Sequence, residues 1–287
     1  MNNKLVEKSV SKIKNHYMRM LLLVPLLFLN FCFGQTKEEI LEEGKLLYRL
    51  EKASWYGTDV LLESFPHKMD VGGYLSYVNE KNQVVNIFWK RNEPSHILVR
   101  FEFDSLPQKN PIRIDTLNHI ATQKEKDLIA IRLDANQRIS KNEDSFFTFY
   151  KNTSFNLIPL IHKGEKKVFI LTGPKGSNVV IIGNDYLLTY NKKNKLVQKE
   201  KLHNSMLQYP WKSDEGITFT FHSHILSDLI TSTDICTLLL YKDFVEWKQH
   251  YVISEKYVSI FDLEKEILAV MTKEAWEKIS GNKKEKE

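Results

Sequence analysis

Phe221-His222-Ser223-His224 and, after a gap of six residues, Thr231-Ser232-Thr233-Asp234 decide how the second half of this 287-residue chain is read. The first run closes an alternating stretch from Ile217 to His224, the pattern of a strand. The second places a hydroxyl residue three positions before an acid, the spacing of a helix N-terminus in which side chains and backbone cap each other. A strand, a short loop and a helix are therefore predicted in succession, the helix running from about Thr233 to Gln249. Residues two apart on a strand share a face, so His222 and His224 can reach one point together. Asp234, in the first helical turn, can bring a carboxylate to the same point. Two imidazoles, one carboxylate and a water form the ligand set of an open zinc site, where the ion lowers the pKa of its water towards neutrality. The same residues also fit a metal-free reading, as strand histidines with satisfied ring nitrogens and a plain capping box.

Working outward, the second half reads mainly as strands. Val168 to Thr172, Val179 to Ile182, Tyr186 to Tyr190 and Leu196 to Leu202 precede the metal strand. Tyr251 to Ser254, Tyr257 to Phe261 and Ile267 to Met271 follow it, and a last helix starts after Thr272. Asn184-Asp185 reads as a turn. His203 reads as an exposed edge histidine or as a second partner or substitute ligand from a neighbouring strand. Trp211 and Trp247 read as core packing or as the lining of a cleft. Cys236 sits in an apolar helical stretch, where a buried inert thiol is expected.

The first half has a different rhythm. Thr36 to about Phe65 repeats apolar residues at three- and four-residue intervals, with Gly57 and Pro66 as breaks or ends. Tyr74 to Val78, Val84 to Trp89 and Ile97 to Phe103 then alternate as three strands joined by polar turns. A meander with one apolar face needs a cover, and the first helix is the nearest candidate. Thr122, three residues before Glu125, caps a second helix reaching about Ile139. The expected class is α+β: an N-terminal helix and antiparallel meander, then a mixed sheet flanked by helices. The Lys141–Asp144 cluster marks the expected division into residues 35–145 and 146–287, the latter ending in a frayed tail.

Residues 1–34 carry five Lys or Arg against Glu7, and an apolar run from Leu21 to Phe33 ends at Gly34. Thirteen residues rise about 20 Å as a helix, short of the roughly 30 Å hydrocarbon core. The expected reading is a signal peptide and export to a periplasmic or extracellular compartment, with no stable membrane span after cleavage. The remainder holds 36 basic and 35 acidic residues, a charge of +1. The overall +5 therefore gives no reason to expect nucleic acid as a partner. Only Cys236 would survive cleavage, so no internal disulfide is expected.

The order strand, His-x-His, loop, Thr-x-x-Asp, helix, short strand resembles the core of the JAMM (MPN-domain) metalloproteases, over roughly residues 146 to 280. That family's signature is His-x-His, seven residues, then Ser-x-x-Asp. Here six residues intervene, Thr231 stands at the serine, and Ile225 stands where the family usually has proline. The resemblance implies zinc held by His222, His224 and Asp234, with Thr231 helping to hold the oxyanion. It implies hydrolysis of a peptide or isopeptide bond in a protein or peptide substrate. It also calls for a glutamate upstream of the metal strand as general base, and Glu165 and Glu200 are the candidates by position. Without such a base the site would be a degenerate, metal-binding one. The alternative is a non-catalytic envelope or secreted binding protein without metal.

Overall fold

The computed structural model describes residues 35–65, 70–211 and 216–281; the expected signal segment and the end of the tail lie outside them. The chain begins with helix α1 (Lys37–Ser64), followed by an antiparallel meander of β1 (Val71–Val78), β2 (Val84–Lys90), β3 (Glu93–Phe103) and the short β4 (Arg113–Asp115). Helix α2 (Gln123–Lys141) is capped by Thr122 as its spacing predicts. Next come β5 (Thr153–His162), β6 (Glu165–Pro174), β7 (Val179–Gly183), β8 (Tyr186–Tyr190), β9 (Leu196–Lys201) and β10 (Met206–Pro210). Strands β5-β6-β8-β9 form one antiparallel sheet, and β7 pairs with β10 as a separate ribbon.

The last part contains β11 (Phe219–Ser223), helix α3 (Ser232–Tyr241), β12 (Gln249–Ile253), β13 (Tyr257–Asp262), β14 (Ile267–Thr272) and helix α4 (Lys273–Gly281). β11 pairs with β12 in parallel, and the rest of that sheet is antiparallel. The protein is therefore a mixed α+β fold, with four helices and fourteen strands among the described residues. No described helix is long and apolar enough to cross a membrane.

Two cores explain why the elements sit where they do. Val84 and Phe88 of β2 pack with Leu47 and Leu50 of α1, while Val85, Ile87 and Trp89 pack with Leu128 and Ile131 of α2. Alternate residues of a strand point to opposite faces, so the meander is covered on both sides rather than by α1 alone. Phe169, Val180 and Leu239 join the first core, and Val168, Ile170 and Tyr186 join the second. Both cores draw on residues from either side of position 145, and Lys37–Glu287 forms one compact unit.

Two local readings are corrected and one strand is added. Gly57 lies inside α1 and does not break it; a Cβ there would come within 2.0 Å of Asn86 Oδ1, so the glycine lets the meander approach the helix. β5 escapes the pattern because Pro159 interrupts it, yet β5 is the edge of its sheet, where proline is tolerated. Helix α3 stops at Tyr241 instead of running to Gln249, because Gln249 opens β12 opposite Phe219. Its residues are buried from Ser232 to Leu240, as expected of a helix apolar on every side.

Candidate metal centre

His222 lies on β11, His224 directly follows it, and Asp234 lies in the first turn of α3. The β11–loop–α3 order thus brings these three together at the carboxyl end of a parallel strand. The helix N-terminus there favours negative charge. His203 joins them from the segment after β9. One ligand atom from each of His203, His222, His224 and Asp234 lies within 4.8 Å of the others, and all four residues are buried.

The rings of His224 and His222 are each held by a bond on the far side. His224 Nδ1 lies 2.9 Å from the Leu229 carbonyl and 2.8 Å from Ser227 Oγ. A carbonyl only accepts, so Nδ1 carries the proton and Nε2 presents its lone pair to the centre. His222 Nε2 is 2.8 Å from that nitrogen, and His222 Nδ1 is 2.8 Å from His250 Nε2. His250 Nδ1 in turn meets Thr220 Oγ1 at 2.7 Å. Ring nitrogens fixed from behind in this way are the usual support of metal-binding imidazoles.

Thr231 caps α3. Its backbone N–H and hydroxyl donate to Asp234 Oδ2 at 2.9 and 2.7 Å. Its hydroxyl is thereby committed to orienting the carboxylate. Asp234 Oδ1 behaves differently. It lies 3.0 Å from His203 Nε2 and 3.7 Å from His222 Nε2, but its contact with His203 lacks the alignment of a hydrogen bond. Asp234 Oδ1 and both ring nitrogens of His203 are left buried without a hydrogen-bond partner.

Of the two readings of His203, the exposed edge histidine is corrected: the residue is buried and reaches the cluster from a neighbouring segment. Leu202 N donates to the Asp185 carbonyl and Asn184 N to the Ser205 carbonyl, both at 2.9 Å, which straps its segment against the turn after β7. Gly183 makes the approach feasible: its φ is +96°, and a Cβ there would sit 2.4 Å from the Ser205 carbonyl oxygen. Behind His203, Asp185 Oδ2 lies 3.5 Å from Nδ1. Asp185 itself accepts from Thr172 N at 2.9 Å.

Electrostatics follow this geometry. Burial pushes His203 down, but the Asp234 and Asp185 carboxylates outweigh it and raise its pKa to about 9. Burial lowers His222 to about 4 and His250 to about 3. Asp234 is buried, which would raise it, yet His203 and His222 hold it well below the usual carboxylate range. Burial lifts Asp185 to about 6. In the metal-free chain His203 is thus the cation between two carboxylates, while His222 is neutral.

Glu165 and Glu200, chosen by position as general bases, are not brought to this cluster. Glu165 opens β6 beside its turn with β5, faces solvent and pairs with Lys167 at 2.8 Å. Glu200 is exposed on β9, opposite Leu187. His203 is instead the upstream titratable residue that reaches the site. A cavity of about 40 Å³ borders His203, His222 and His224, together with Ser205 and Ser223, room for one or two waters.

The donor set fits a metal ion. Three imidazole nitrogens and a carboxylate suit a first-row divalent cation, which would take over from the His203 proton as the positive partner of Asp234 Oδ1. Among the described residues this is the one such group of potential ligands. No family profile matches the chain, and no curated protein or solved structure matches it either.

Proposed function

We propose that the chain is an exported zinc-dependent hydrolase of peptide or isopeptide bonds, with a metal site of the kind its JAMM-like order of residues suggests. The observation that carries this reading is the buried convergence of His222, His224 and the Asp234 carboxylate, with the outer ring nitrogens of both histidines already held. His222, His224 and Asp234 are the zinc ligands in this reading. Zinc held by them supplies Lewis acidity for hydrolysis near neutral pH. Thr231 and the α3 N-terminus hold the carboxylate in place. His203, with Asp185 behind it, borders the small cavity and takes the acid–base role in this reading.

Metal analysis and assays on peptide and isopeptide substrates, run together, test this. Wild type should hold about one zinc per chain and turn over. His222→Ala should lose both, whereas His203→Gln should keep the metal and lose turnover. Loss of metal in His203→Gln would make His203 a fourth ligand and the site a closed, non-catalytic one. A wild type that takes up no zinc on titration would sink the reading in favour of a non-catalytic envelope or secreted binding protein. For export, the intact mass of protein recovered from the envelope or medium should lack residues 1–34; retention of that segment on cytoplasmic protein would refute it.

A further inference from the structure

The buried face of β11 continues from His222 to Thr220, and there a second cavity opens. It has a volume of about 210 Å³ and is lined by the aromatic residues Tyr209, Trp211, Phe244 and Trp247 and by the acids Asp243 and Glu246. Among the described residues no Lys, Arg or His lines it. Tyr209 and Trp247 meet edge to face with centroids 5.4 Å apart, and Trp211 and Phe244 lie 6.4 Å apart at a 40° tilt. Ring faces are electron-rich, so several of them beside carboxylates form a favourable surround for an organic cation.

The fold already uses this chemistry next door. Lys52 Nζ lies 5.8 and 5.4 Å from the ring centroids of Tyr48 and Tyr56, and 3.6 Å from Asp243 Oδ2. No described cation pairs with Glu246. The volume falls below the roughly 300–1,000 Å³ of pockets for drug-sized ligands, which suits a head group or a single side chain.

We infer that this cavity binds an alkylammonium group, either the side chain of a lysine or its methylated or quaternary counterpart, held by the four rings and by Glu246 and Asp243. None of these residues belongs to the His203/His222/His224/Asp234 group, so the inference stands apart from the zinc reading. The two sites still share a line of hydrogen bonds, since Thr220 lines the cavity and meets His250, which meets His222. In a peptide hydrolase the cavity would receive a basic side chain of the substrate.

The test titrates the full chain with choline, Nα-acetyl-lysine amide and its trimethyl form, and with 3,3-dimethylbutan-1-ol, the neutral isostere of choline. Calorimetry and tryptophan fluorescence read the binding. At least one ammonium should bind saturably and about tenfold more tightly than the neutral isostere. Whether the free or the methylated lysine binds more tightly identifies the source. Glu246→Gln and the half-exposed Phe244→Leu should each weaken binding several-fold while zinc content stays unchanged. Equal affinity for the neutral isostere, or indifference to both substitutions, would overturn the inference. So would the absence of saturable binding in a chain whose far-UV spectrum and melting are those of folded protein. Zinc measured on the same samples keeps this outcome separate from the fate of the metal site.

Discussion

The two capping boxes of this protein start from the same local chemistry and end differently. In both, a threonine caps a helix and an acid three residues on bonds back to the threonine N–H, at 2.7 Å for Glu125 and 2.9 Å for Asp234. Both acids are buried. Glu125 is then fully occupied: Arg100 donates to both its oxygens at 2.8 and 2.9 Å, and the Tyr77 hydroxyl donates at 3.0 Å. Asp234 has one oxygen satisfied by Thr231, with His224 Nε2 3.3 Å from it, and the other, without an aligned hydrogen bond, beside His203 Nε2 at 3.0 Å and His222 Nε2 at 3.7 Å. A buried carboxylate needs a positive partner. Glu125 has a permanent one in a guanidinium, whereas Asp234 has a histidine proton that a metal ion can replace. The capping motif sets up a helix start, and the residues facing it decide whether the acid serves the fold or a site.

Breaking the permanent pair should have the largest effect. Arg100→Met leaves Glu125 buried without its cation, at a cost of about 3–5 kcal/mol. Denaturant unfolding should show that loss, while zinc content per folded chain stays unchanged. A cost below about 1 kcal/mol would mean that Glu125 is held by its other partners alone, and the contrast with Asp234 would collapse.

The exchangeable pair should respond to metal instead. Zinc at a hundred times its dissociation constant should stabilise wild type by about 2.7 kcal/mol. The same addition should leave His224→Ala unmoved, and chelation should reverse the gain. Equal stabilisation of wild type and His224→Ala would place the zinc elsewhere.

The third effect is a slope with pH. His203 has a folded pKa of about 9 against 6.5 in an unfolded chain, so its proton stabilises the metal-free fold fully below pH 6.5. That contribution is lost as pH rises through 9, at no more than about 1.4 kcal/mol per pH unit for one proton. Metal-free protein should therefore weaken between pH 6.5 and 9. Zinc-loaded protein should show a flatter profile, because a cation beside or on the ring displaces that proton. Equal slopes for the two forms would contradict the exchange of proton for metal.

What could be seen in the sequence was local. Both Thr-x-x-acid spacings and the shared face of His222 and His224 follow from helix and strand periodicities, as do most strands around them. The partners that separate the two acids were out of reach. Arg100 meets Glu125 from β3, 25 residues away. His203 reaches Asp234 because its segment is strapped to the turn after β7. His250 reaches His222 because β12 pairs in parallel with β11. None of these placements leaves a spacing signal, since each depends on which strands pair. Order along the chain points to Glu165 and Glu200 instead, and both face solvent.

The smallest effect separates the caps themselves. Thr122→Ala and Thr231→Ala each remove a side chain that accepts from the backbone N–H of the acid at 3.2 Å, and loss of such a cap costs about 0.5–2 kcal/mol. On stability Thr231→Ala should cost the more of the two, because it also strips a donor from a buried carboxylate. The two should part further on metal affinity. Thr231 also donates its hydroxyl to Asp234 Oδ2 at 2.7 Å, and removing a group that orients a ligand typically weakens metal binding by about 10–100-fold. Thr122 orients an acid already committed to Arg100, so its loss should leave zinc affinity unchanged. Competition titrations against a zinc chelator on both variants read the difference directly. If Thr231→Ala binds zinc as tightly as Thr122→Ala, then Asp234 is a cap and not a ligand, and the two boxes are the same device after all.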